Sequence, residues 1–292
     1  MKDFYLLSHI RKPEFMGNTR TYDKRHTQIA DLPWSAEEIN ERLERFKKLS
    51  DWVEKLYATV PSNRKEAYFE MIQYPVQASN EMNKKMLYAQ FARHTPSDSA
   101  SLWKKSDAAY DSIVSLTRRF NSLLDGKWNS IMSAAPRGLA VFGKVKHTAS
   151  SMAMATFPAP LQSWNGTEHD AVTGPHTVID GLGHSEKAIY LGKGVTVEYE
   201  YRNFGKDSLT VEVYLVPTHA VEGGKLRFAI STDDRKPQVF DCETAEYSEE
   251  WKANILRAQS VKTARFPSSG RKGRIKITAL DEGVVIDQIR LR

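Results

Sequence analysis

Cysteine is almost absent from this chain: Cys242 stands alone among 292 residues. That excludes an internal disulfide and a cysteine-based metal cluster, and burial among apolar neighbours is the plain expectation for the thiol. Long apolar runs are also missing. No stretch approaches the ~20 residues that a bilayer-spanning helix needs, so no membrane partner is expected. The first ten residues carry one lysine but no apolar core of signal-peptide length and no small-residue cleavage site. They read as a cytoplasmic start or as sequence lying downstream of a leader. An excess of one charge is lacking too. Lys and Arg number 42 against 36 Asp and Glu, a net charge of +6 with a pI near 9.2. The signs are interleaved, as in Glu41-Arg42-Leu43-Glu44-Arg45, which describes a solvated helix face. The single concentrated run, Arg271-Lys272-Gly273-Arg274, reads as a turn between strands. A nucleic-acid partner is therefore not expected.

The usual chemical signatures are missing as well. Gly181-Leu182-Gly183 lacks the remaining glycine spacing and the following helix of a phosphate-binding loop. His147, His169, His176, His184 and His219 are scattered, with no His-x-x-x-His pair, so each reads as structural or surface rather than zinc-binding. No metal or cofactor is expected.

What is present divides into two halves of different period. A chain of this length exceeds what one core usually supports, so two domains are expected. Residues 1–10 place Phe4, Leu7 and Ile10 at helical spacing, and Arg11-Lys12-Pro13 ends that helix. Ser35-Ala36-Glu37-Glu38 is a capping box opening an amphipathic helix with Ile39, Leu43, Phe46, Val53 and Leu56 on one stripe. Pro61 ends it. A second helix carries Phe69, Met71 and Ile72, is interrupted at Pro75, and resumes through Val76, Met82, Met86 and Leu87 to His94. Ser97 is a candidate cap for a third, running through Leu102, Trp103, Ile113 and Phe120 to a glycine terminator at Gly126. Three long helices with short connections predict an antiparallel bundle.

Beyond Ala134–Gly138 the period falls to two. Val195, Val197 and Tyr199 alternate with Thr196, Glu198 and Glu200; Leu209, Val211, Val213 and Leu215 repeat the pattern, as do Leu226, Phe228 and Ile230. Such alternation puts one face of each segment on a core. Further strands are expected near 151–157, 176–180, 186–191, 236–241, 260–266, 273–279 and 283–291, with 251–256 either a short helix or a strand entry. The fold class is therefore an N-terminal antiparallel helical bundle, 1–137, followed by a C-terminal antiparallel β-sandwich, 138–292. Within the first domain, residues 1–34 form a connection or docking segment. Phe15, Met16 and Tyr22 have no periodic partners there and are the candidate docking residues.

No complete catalytic constellation emerges, and no catalytic residue is assigned. Ser163, His169 and Asp170 lie close in sequence, which does not define a triad. Asp233, Asp234, Glu243, Glu246, Glu249, Glu250, Asp281, Glu282 and Asp287 are the carboxylates from which a glycosidase pair would be drawn, and most fall at turns. Trp164 and Trp251 are candidate carbohydrate contacts, since an indole offers a large stacking face. Core or edge packing is the plainer reading of both.

Several stretches, in this order, resemble glycoside hydrolase family 115, the xylan α-1,2-glucuronidases. They are Phe4-Tyr5-Leu6-Leu7 with Arg11 to Gly17, Tyr74-Pro75-Val76 with Met82 to Lys85, and Gly126 to Asn129 leading to Pro136-Arg137. Ile179 to Ser185, Leu215 to His219, Leu226 to Asp234, Trp251 and Gly283 to Asp287 complete the set. The resemblance implies the family's helical bundle and terminal sandwich, with its catalytic residues on a barrel, so none is carried over here. It implies a non-catalytic region that supports the barrel and oligomer contacts of an enzyme removing glucuronic or 4-O-methylglucuronic acid from xylan. The implied partners are that barrel, a further copy of the chain and a xylan-type polysaccharide; the implied location is the periplasm or outside the cell. The other reading is an independent carbohydrate-binding or protein-interaction module.

Overall fold

A computed structural model describes residues 1–18, 29–149, 154, 159–203, 205–233, 235–267 and 270–292. The chain forms two compact units, essentially 3–157 and 158–292. Tyr22 and the greater part of the strand expected at 151–157 lie outside the described residues.

In the first unit, α1 spans Lys2–Ile10 and α2 Ala36–Thr59. The capping box closes both ways: Glu38 N donates to Ser35 Oγ (3.2 Å) and Ser35 N to Glu38 Oε2 (2.8 Å). α3 (Lys65–Tyr68) runs through a π-helical turn, Phe69–Gln73, directly into α4, Tyr74–His94. The interruption expected at Pro75 is thus a widened turn, not a break. Tyr74 N bonds back to Phe69 O, five residues earlier. A π turn moves the preceding carbonyls away from the proline ring and absorbs the N–H that proline lacks.

α5, Ser99–Gly126, packs along α4. Its N-cap is Asp98, without a side-chain cap bond, after a 3-10 turn at Pro96–Asp98; Ser97 does not cap it. The regular helix stops before Gly126. Leu123 is extended, and Leu124, Asp125 and Gly126 all have positive φ. The core of this unit gathers Ile39, Met82, Met86, Leu87 and Trp103 from the helices, with Met16 and Leu32 from the first long loop. Val141 and Val145 join them from beyond the last helix. There the buried Lys85 ammonium donates to Val141 O (2.7 Å) and Gly143 O (2.9 Å). The change of period at 134–138 therefore marks where helix ends, while the chain goes on packing against the helices.

The second unit is a sandwich of two antiparallel sheets. Its strands are β1 (Gln162–Asn165), β2 (Ala171–Thr173), β3 (His176–Asp180), β4 (Lys187–Leu191), β5 (Thr196–Arg202), β6 (Ser208–Leu215), β7 (Arg227–Thr232), β8 (Gln238–Asp241), β9 (Ser260–Pro267), β10 (Lys272–Ala279) and β11 (Val284–Leu291). One sheet has the order β3-β4-β11-β6-β9, with β1 also paired to β11; the other has the order β2-β5-β10-β7-β8. Val197, Tyr199, Val211, Val213, Phe228, Ile230, Ile277 and Ile286 fill the space between them. β6 alternates buried with part-exposed positions along its length, as period two requires. Tyr199 Oη, from one sheet, donates to Gly166 O (2.8 Å) just after β1 of the other.

Residues 249–257 are a helix, α6, capped by Ser248, whose side chain accepts from Trp251 N. This resolves the choice between helix and strand entry. Two acidic residues in its first turn favour the helix, since they face the positive end of the dipole.

Candidate ligand cleft and buried carboxylate

A cavity of about 260 Å³ opens where α6 crosses the end of the sandwich. Its walls come from four places: Leu215 to His219 at the end of β6, Leu226 before β7, Cys242 to Thr244 after β8, and Trp251, Asn254 and Ile255 on α6. Ser260 closes it at the head of β9. Ser260 lies opposite Leu215 in the β6–β9 ladder, so the two side chains share the face that looks into the cavity. Ser260 is 3% exposed, and its Oγ has no hydrogen-bond partner among the described residues. The rim is polar. His219 Nδ1 lies 3.1 Å from Glu243 Oε1, and Ala220 N donates to Glu243 Oε2 (2.7 Å). The His219 side chain, 83% exposed, marks the mouth. Burial pushes the Cys242 thiol up to about 12, so it stays a protonated, weakly polar wall group rather than a nucleophile.

Trp251 lines this cleft and lies 5.3 Å from the Tyr247 ring, tilted by 57°. Trp164 is placed elsewhere. It sits on β1, half-buried against the sandwich interior, 6.1 Å from Tyr199. The two tryptophans do not share a platform. Met16 is inside the bundle core at 2% exposure, while Phe15 beside it is half-buried.

Most of the candidate carboxylates are held by their surroundings; Asp234 lies outside the described residues. Asp233 accepts from Arg274 N and Tyr201 Oη, Glu250 pairs with Lys262, and Glu282 accepts from Lys193 N. Asp281 takes a two-toothed grip from Arg227, which draws its carboxyl down to about 2. Asp170 accepts from Glu200 N, and no hydrogen bond joins it to Ser163 or His169 among the described residues. His147 stacks on Trp103 at 4.4 Å, and His184 lies 2.9 Å from Arg257 O. Among the described residues no group of three His, Cys, Asp or Glu is placed to hold a metal ion.

Asp287 is the carboxylate whose structural role the sequence did not reveal, although the strand that carries it was expected. It lies within β11, at a shift of register between Ile286 and Gln288, fully buried. Oδ2 accepts from His184 N (2.9 Å) and Gln259 Nε2 (2.7 Å), and Oδ1 from Ser185 N (3.0 Å) and Ser185 Oγ (2.7 Å). Gly183 has φ +79, and a Cβ there would overlap this carboxylate. Asp287 thus pins the Gly183-His184-Ser185 loop to the sheet. The signal available in advance was a lone acid inside Val284-Val285-Ile286-Asp287-Gln288-Ile289, where every second neighbour is apolar.

Residues 172–292 match the glycosyl hydrolase family 115 C-terminal domain. The chain carries a family 115 C-terminal domain. All 292 residues are also similar to part of a solved family 115 enzyme, a 4-O-methyl-α-glucuronidase with specificity for decorated arabinogalactans, at 44% identity and a TM-score of 0.92. The chain spans 38% of the length of that glucuronidase. An exo-β-1,3-galactanase from Phanerochaete chrysosporium is 15% identical over 45% of this chain and 29% of its own, with a TM-score of 0.33. A carbohydrate-binding module of Cellvibrio mixtus lichenase 5A is 10% identical over 46% of this chain and 97% of its own, with a TM-score of 0.34. At those scores neither likeness carries an argument about family 115. No curated protein matches the chain.

Proposed function

We propose that this chain is the non-catalytic C-terminal region of a family 115 glucuronidase, where it supports the catalytic barrel and contributes oligomer contacts. The intact enzyme would release glucuronic or 4-O-methylglucuronic acid from a decorated polysaccharide, a xylan or an arabinogalactan. One observation carries the reading: the similarity, at 44% identity, covers the whole chain, bundle and sandwich alike. A module kept only for sugar binding would need the sandwich alone. Hydrolysis of a glycosidic bond requires two carboxyl groups flanking it, roughly 5–9.5 Å apart, one of them with a raised pKa. The carboxylates described above instead brace loops and strand ends.

The test is association. The portion of the 44%-identical glucuronidase that this chain does not span is purified and mixed with it. A complex by light scattering, with a raised unfolding temperature for the mixture, is the expected result. Two components that scatter and melt independently would defeat the reading.

A further inference from the structure

We propose that the cleft between α6 and the sandwich binds a single neutral sugar residue, a pentose or hexose ring laid against Trp251. Size sets the first limit. About 260 Å³ falls just below the range of pockets that take drug-sized ligands, roughly 300–1,000 Å³, and suits one ring better than an oligosaccharide. The lining sets the second. An indole and the apolar side chains of Leu215, Val216 and Leu226 offer a surface for the C–H face of a sugar.

Ser260 argues against a purely apolar ligand. Its buried hydroxyl faces the cavity without a partner, and a buried polar group left unmatched is costly. A sugar hydroxyl would satisfy it, and Asn254 and Thr244, which also line the cavity, are available to other ring hydroxyls. Charge then separates neutral sugars from uronic acids. Neither Lys nor Arg lines the cavity, and its formal negative charge is the Glu243 carboxylate, held by His219 and Ala220 N. A sugar carboxylate would meet that charge without the guanidinium fork that normally receives one. The site therefore selects for the neutral part of a polysaccharide. This inference stands apart from the supporting role proposed above, and it holds or fails whether or not the chain associates with a barrel.

Ligand-observed NMR titration of the full 292-residue chain with xylose, galactose and glucuronic acid tests it, using wild type, Trp251→Ala and Ser260→Ala. Xylose or galactose should bind saturably, with half-saturation on the order of 1–10 mM, the range open to so small a ligand. Glucuronic acid should bind at least about tenfold more weakly, and Trp251→Ala should abolish the signal. Ser260→Ala removes only an unpartnered hydroxyl, so it keeps the fold and should weaken binding about three- to tenfold. If Trp251→Ala does not fold, Ser260→Ala alone decides. No saturable response to either neutral sugar would mean that the cavity holds water only. That outcome, equal binding of glucuronic acid, or unchanged binding in Ser260→Ala overturns the proposal.

Discussion

Two buried charges show how single residues hold this chain together. Asp287 takes four hydrogen bonds inside the sandwich. Asp287→Ala would leave those buried and part-buried donors without their acceptor, and urea unfolding should show a loss of about 3 kcal/mol or more. Gly183→Ala should be similarly harmful, because a Cβ at φ +79 meets the same carboxylate. Lys85 is the second, and it is fully buried. Burial lowers its ammonium to about 7, against about 10.4 in an unfolded chain. Between those values the unfolded state holds more protons than the folded one, so stability rises with pH across that window; below about 7 the burial penalty is present in full. Urea midpoints at pH 7 and pH 9.5 should therefore rise for wild type relative to Lys85→Met, whose difference between the two pH values lacks this contribution.

At the scale of elements, the described ends of the first long loop, 11–18 and 29–35, behave as part of the bundle. Met16 sits among Leu32, Ile39 and Met86, so Met16→Ser should cost about 2–4 kcal/mol in thermal or urea unfolding. Phe15→Ser, at a half-buried position, should cost less than about 1.5 kcal/mol. Equal effects would show that the loop does not pack as described. Much of the element plan was legible in the sequence. Ser35 and Glu38 named the start of α2, and the alternation of Leu209, Val211, Val213 and Leu215 named β6. Elements hidden from that reading were hidden for physical reasons. β1 and β2 are only four and three residues long, too short to display a period. Pro75 reads as a break because a π turn leaves no local signature. The cleft was half visible: Trp251 stood out as an aromatic, but Ser260 and Cys242 meet it only because β9 lies beside β6 and α6 folds across the sheet end. The role of Asp287 likewise depends on Ser185, more than a hundred residues away in sequence.

For the whole molecule, the proposal to be tested is that a chain with a family 115 C-terminal domain supports glycoside hydrolysis without performing it. The claim joins two facts. Likeness to a family 115 glucuronidase covers both units, while Asp281, Glu250 and Asp287 are engaged by Arg227, Lys262 and part-buried backbone amides. The measurement that tests this most directly is release of 4-O-methylglucuronic acid from decorated arabinogalactan and from glucuronoxylan by three samples. These are the chain alone, the unspanned portion of the 44%-identical glucuronidase alone, and the two together. The account predicts no release by the chain alone, above a heat-killed control, and more release by the mixture than by the unspanned portion alone. Release by the chain alone, or a mixture no more active than the unspanned portion, would contradict it.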